Sequence, residues 1–156
     1  MKFVILQVAP FYAPIDLAQQ GQIYVEETTD PRILAKASQL INDQLGNGGE
    51  QQFAANHALL VTYVNVSLGH RQQSSTQIPP LNTFQTILIG GKDRLKRGDS
   101  PMTFVQFLYR DIQWSEDAEA GIMAPDKANS ILLPGSGTEG IEQLSQLSNV
   151  RSVTQI

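Results

Sequence analysis

Gly135-Ser136-Gly137-Thr138-Glu139-Gly140 has the glycine spacing of a dinucleotide-phosphate loop. In such a loop the glycines let backbone amides close on a pyrophosphate at a helix N-terminus, and an acidic residue further along holds the ribose. Here Pro134 precedes the loop, sixteen residues follow Gly140, and no acidic residue stands beyond Glu142. The segment therefore reads as a turn that starts a helix, and a small-ligand (nucleotide) enzyme using Gly135 to Gly140 is the alternative. Ser136 lacks the Gly-x-Ser-x-Gly frame that raises a nucleophile onto a strained elbow. His57 and His70, the two histidines, both stand beside polar sequence with no catalytic context. No catalytic, cofactor-binding or metal-binding residue is assigned, and the chain is read as a non-enzyme.

Three other groups carry chemistry of a milder kind. Glu116, Asp117, Glu119 and Asp126 could supply oxygen ligands to calcium, but their spacing fits no EF-hand and a solvated acidic loop is the expectation. Asn65-Val66-Ser67 is an acceptor sequon for N-linked glycan, and Asn65 is equally suited to ending its strand with a hydrogen-bonded side chain. Lys92, Arg94, Lys96 and Arg97 gather positive charge at one hairpin tip of a chain whose net charge is −4. That tip is the candidate partner patch, for anionic glycans or an acidic protein surface.

The elements that must position these groups follow from periodicity. Asp30-Pro31 can cap and start a helix, and Ile33, Leu34, Ala37, Leu40, Ile41 and Leu45 recur at three- and four-residue spacing as far as Gly46. This predicts an amphipathic helix over Pro31 to Leu45 that packs on a sheet. Ala58 to Val66 reads as an apolar strand, and His70 to Pro80, rich in Gln, Ser and Thr, reads as a surface loop. Thr83 to Ile89 and Met102 to Tyr109 form a long hairpin around Gly90 to Asp99. Val105, Phe107 and Tyr109 share one face of its second strand and Phe104, Gln106 and Leu108 the other, which predicts a central strand. Trp114 and the neighbouring Phe84, Phe104, Phe107 and Tyr109 are expected in the core, not on a sugar-stacking platform. Ser115 to Pro125 reads as the acidic loop, Ser130 to Leu133 as a short strand, and Ile141, Leu144 and Leu147 as the apolar side of a short C-terminal helix. The opening Met1 to Ala9 is too short for a leader with a cleavage region and reads as strand.

Two blocks, Asn82-Thr83-Phe84-Gln85 and Tyr109-Arg110-Asp111-Ile112-Gln113-Trp114, are followed by Leu133-Pro134-Gly135-Ser136-Gly137-Thr138. Their order and spacing resemble the nidogen extracellular domain family, called NIDO. The resemblance runs from about Ala9 to Val150. It includes Ala9-Pro10-Phe11-Tyr12-Ala13-Pro14-Ile15-Asp16, Gly21-Gln22-Ile23-Tyr24-Val25-Glu26-Glu27-Thr28, Ala58 to Tyr63 and Ser148-Asn149-Val150. The family usually has more strand before the first segment and a Gly-x-Trp strand after the last, so the resemblance implies a single domain over residues 1–156 that is cut short at both ends. It implies an extracellular, non-catalytic module, secreted or part of an ectodomain, that contributes to cell–matrix adhesion or matrix assembly through proteins and glycans of the matrix or cell surface.

Composition agrees with that class. A chain of 156 residues suits one substantial core, and 17% charged residues with a net negative balance argue against phosphate-backbone binding to nucleic acid. No run approaches the roughly 20 apolar residues of a membrane span. No cysteine is present, which removes disulfides, zinc–thiolate sites and thiol nucleophiles together. The predicted fold is α+β: a β-rich antiparallel sheet system with one main amphipathic helix and a short C-terminal helix. No cofactor is expected.

Overall fold

The computed structural model describes residues 7–18, 20–46, 52–69, 79–94, 100–115, 118–123 and 130–132, together with the backbone of residues 151–155. In chain order the elements are β1 (Gln7–Tyr12), β2 (Ile15–Asp16), β3 (Gln22–Thr28), α1 (Pro31–Leu45), β4 (Phe53–Leu68), β5 (Leu81–Asp93), β6 (Ser100–Ile112), β7 (Glu119–Met123), β8 (Ile131–Leu132) and β9 (Arg151–Gln155). The strands form mostly antiparallel sheets with a single helix among the described residues, a β-rich α+β fold. One sheet has the order β1-β7-β8; the larger has β2-β4-β5-β6-β9, with β3 also paired to β4. By their contacts the residues divide into two units. One draws on Met1–Ile23, Tyr63–Phe84 and Leu108–Val150, the other on Tyr24–Thr62, Gln85–Phe107 and Arg151–Ile156.

In the helix-containing unit, α1 begins and ends where local chemistry requires. Asp30 Oδ1 accepts the free Arg32 amide at 2.8 Å, Pro31 occupies the first turn, and Gly46 closes the last turn with φ 67° and its amide on Asn42 O. The Arg32 side chain beside Asp30 holds that carboxyl below its ordinary range. Leu34 and Ile41 from the helix join Phe53, Ala58, Ile89, Met102 and Phe104 from β4, β5 and β6 in one apolar core. Polar residues on the same helix dock it to the sheet. Asn42 Nδ2 donates to Phe53 O at 2.9 Å while its Oδ1 accepts from Phe53 N at 2.8 Å, and Ser38 Oγ accepts from Ala55 N at 2.9 Å. Phe53 and Ala55 present these groups toward one edge of β4, so the helix side chains satisfy backbone that a neighbouring strand would otherwise pair.

The other unit is built around Phe11, Phe84 and Trp114. Phe11 meets Trp114 edge-on at 4.9 Å and Phe84 at 5.4 Å, and Tyr63 stacks on Phe84 at 4.5 Å. Tyr109 is buried and donates to Pro10 O at 2.6 Å. Burial pushes the Tyr109 phenol well above its ordinary pKa of 10.0. The unfolded chain therefore loses that proton while the folded chain keeps it, and stability falls as pH rises above 10. The expected slope reaches about 1.4 kcal/mol per pH unit. Urea midpoints taken across alkaline pH check it, and Tyr109→Phe should remove this component at the cost of the hydrogen bond to Pro10.

Several expectations are corrected. Glu119–Met123, read as part of an acidic loop, is strand β7, lying between β1 and β8 with Ala120, Gly121 and Ile122 buried. Its order comes from pairing on both sides, which a small-residue sequence does not announce. Gly121 has φ 149°, and a Cβ there would strike Ile131 O across the β7–β8 pair. Gly90 and Gly91, read as hairpin connection, lie inside β5. A Cβ at Gly90 would enter the His57 ring, and one at Gly91 would enter Ala54 O and lie 2.6 Å from the Phe53 ring. These glycines serve close packing and not a turn. β4 begins at Phe53, five residues earlier than its apolar run suggests. β6 is central as expected, between β5 and β9, with Phe104, Val105, Gln106 and Phe107 all buried. The opening strand is seen from Gln7; Met1 to Leu6 and the C-terminal helix expected near Ile141 to Leu147 lie outside the described residues.

Candidate functional site

The two polar-and-apolar blocks meet as one hydrogen-bonded stitch. Asn82 is fully buried, its Nδ2 donates to Trp114 O at 2.8 Å, and its Oδ1 accepts from Gln113 N at 2.8 Å and Trp114 N at 3.1 Å. Gln113 answers with its own side chain: Oε1 accepts from Leu81 N at 3.0 Å, and Nε2 donates to Asp111 Oδ2 at 2.8 Å. Trp114 Nε1 donates to Val66 O at 3.2 Å, tying β4 to the segment after β6. In the other unit Gln85 Nε2 donates to Thr62 Oγ1 at 2.6 Å. The polar atoms of Asn82 are thus consumed by backbone, in a position with no access to a ligand. The aromatic group is likewise interior, with Phe84, Phe104, Phe107, Tyr109 and Trp114 each less than 5% exposed.

Of the basic patch, Lys92 and Arg94 are exposed and flank fully buried Asp93. Gln52 Nε2 donates to Asp93 Oδ2 at 3.2 Å, and Arg94 N donates to Gln52 O at 2.7 Å. Strand alternation with Asp93 turned inward sends the two cations to the outside together. Lys96 and Arg97 lie outside the described residues. So do Gly135 to Gly140, Ser136, His70 and most of the His70 to Pro80 loop, as well as Glu116, Asp117 and Asp126 of the acidic cluster. Glu119 is in β7. Among the described residues no group of three or more His, Cys, Asp or Glu could hold a metal ion. His57 is exposed on β4, its Nδ1 at 2.5 Å from Asn56 Oδ1. Asn65 is exposed and takes a left-handed φ of 52° within β4.

A surface that sequence reasoning did not single out lies on β3, where Ile23, Tyr24 and Val25 are 41%, 54% and 67% exposed. The available signal was the lack of any alternation in Ile-Tyr-Val-Glu-Glu, since a strand with one buried face changes polarity at every residue. No helix among the described residues is long and apolar enough to cross a membrane.

The family model described as the nidogen-like domain matches residues 2–154. Dendrite extension defective protein 1 of Caenorhabditis elegans is 42% identical over 144 residues, covering 92% of this chain and 12% of that protein. Alpha-tectorin of mouse and of human are each 28% identical over 158 residues, covering 92% of this chain and 7% of theirs. The chain thus spans a small fraction of the length of these curated relatives. No solved structure matches.

Proposed function

The chain belongs to the nidogen-like (NIDO) domain family, and from that premise we propose that residues 1–156 act as one non-catalytic extracellular module contributing to cell–matrix adhesion or matrix assembly. The observation that carries this reading is the fate of the motif residues. The buried Asn82 and Trp114 side chains spend their polar atoms on backbone, Gln113 spends Oε1 on Leu81 N and Nε2 on the Asp111 carboxylate, and the aromatic residues of the two blocks fill the core. A region so occupied is a scaffold, and recognition falls to what it presents. Lys92 and Arg94 are exposed on either side of buried Asp93, and together with Lys96 and Arg97, which follow in sequence, they are the cations this reading gives to anionic glycans or acidic matrix proteins.

Replacing Lys92, Arg94, Lys96 and Arg97 together by Gln tests the reading on a cell-free matrix preparation. Exposed charges contribute about 0.5 kcal/mol each, so retention should weaken roughly 30-fold while the melting temperature holds. Wild-type binding should fall as salt rises. Unchanged retention of the four-site variant would remove the patch from the proposal.

A further inference from the structure

We propose that Asn65 carries an N-linked oligosaccharide, attached while β4 is still open and before Ser67 is drawn against β2; the proposal rests on the extracellular reading above. The sequon needs two groups, the Asn65 amide nitrogen as acceptor and the Ser67 hydroxyl two residues on. The folded chain treats them oppositely. Asn65 is exposed, and its backbone N donates to Thr83 Oγ1 at 3.1 Å while that hydroxyl donates to Asn65 Oδ1 at 3.2 Å. The hydroxyl's one proton goes to Oδ1, so Oδ1 faces Thr83 and Nδ2 lies on the other side of the carboxamide. Asn65 Nδ2 makes no hydrogen bond to the described residues. The left-handed φ of 52°, which Asn tolerates better than most residues, holds this side chain out of the strand's ordinary alternation.

A glycan on Nδ2 keeps Oδ1 and therefore keeps the bond from Thr83. Val66 and Ser67 tell the other half. Val66 is fully buried and Ser67 is 2% exposed, with Ser67 Oγ donating to Asp16 O at 2.9 Å in the β2–β4 pair, where Asp16 sits opposite Ser67. The hydroxyl that makes the sequon is thus withdrawn on folding, whereas the nitrogen that bears the sugar stays outside. Attachment to the finished fold would require β4 to leave β2 and Gly21, whose α-carbon hydrogen lies where a Cβ would be 2.8 Å from Val66 Cα.

The transfer balances without oxidation or reduction. Asn65 Nδ2 attacks the anomeric carbon of an oligosaccharide carried on a polyprenyl diphosphate, the new N–C bond forming as the C–O bond to the diphosphate breaks. The polyprenyl diphosphate leaves with the electron pair, and one Nδ2 proton passes to solvent.

The test is expression of the full chain behind a cleavable secretion leader in animal cells, followed by peptide-N-glycosidase digestion of the secreted protein in heavy-oxygen water. The Asn65 peptide should return as oxygen-labelled aspartate, and Asn65→Gln should match the enzymatically deglycosylated wild type in mass apart from the residue change. In a second arm, bacterially made folded chain is offered to solubilised transferase with its lipid-linked donor, beside Asn82→Ala chain held above its melting temperature. The folded chain should be modified about a hundredfold more slowly, since its acceptor opens only by local unfolding. Unlabelled Asn65 in secreted protein would overturn the site, and equal rates for the two chains would overturn the order of events. The leader delivers the chain to the secretory lumen in any case, so unlabelled Asn65 counts against the glycan alone, and failure on the matrix counts against the adhesive reading alone.

Discussion

Asn82→Ala should destabilise the folded chain by about 3–5 kcal/mol. The substitution strips the partners from three buried or part-buried backbone groups at once, Trp114 O, Gln113 N and Trp114 N. Each group left unpaired away from water costs about 1–3 kcal/mol, and the site is closed to solvent because Asn82 is fully buried and Trp114 is 4% exposed. A domain of this size typically holds about 5–15 kcal/mol in total, so the variant should melt far below the wild type. Asn82→Asp should not rescue it, because the carboxylate keeps the two acceptor contacts, loses the donor to Trp114 O and buries a charge. Urea midpoints for the two variants check the prediction.

Phe53→Ala should cost a similar amount, about 3–5 kcal/mol, in the helix-containing unit. The ring is 1% exposed, lies edge-on to Phe104 at 4.8 Å and fills the space that Gly91 leaves open. Its backbone is held independently by the Asn42 carboxamide, so the strand cannot move in to close the cavity without breaking that pair of bonds. Phe53→Leu, which keeps most of the volume, should cost less than half as much. If the two substitutions were equally mild by chemical denaturation, the packing described for α1 on β4, β5 and β6 would be wrong.

How much of this was legible depended on whether the signal was local. The helix from Pro31 to Leu45 was readable to the residue because its start, stripe and stop are all contained in the segment: Asp30 caps, Pro31 leads, Gly46 turns left-handed. The docking of that helix was only half visible. Leu34 and Ile41 announce an apolar face, but Ser38 and Asn42 look like ordinary solvent-facing polar residues until β4 is placed beside them. β7 was missed because Ala120, Gly121 and Ile122 carry too little apolar mass to stand out after acidic sequence, and pairing with β1 and β8 is what orders them. Gly90 and Gly91 were misread for a related reason: the same residue type marks a turn and a close approach of strands, and only the His57 and Phe53 rings decide between them. Both motif blocks were visible in the sequence, yet that Asn82 meets Gln113 and Trp114, some thirty residues away, was not. Of the candidate partner patch, Lys92 and Arg94 are exposed, but Lys92 lies within β5 and not in the hairpin connection where its neighbouring glycines had put it.

On the proposed reading Asn82 holds the molecule together whereas Lys92, Arg94, Lys96 and Arg97 meet a partner, so their variants should fail in opposite ways. Binding of Asn82→Ala to cell-free matrix, expressed per folded molecule at a temperature below its midpoint, discriminates most directly. Independent sites predict an affinity within about twofold of wild type despite the lowered melting temperature. Loss of affinity in the folded fraction, as large as that expected for the Lys92, Arg94, Lys96 and Arg97 variant, would show instead that the buried stitch is itself part of the recognition surface.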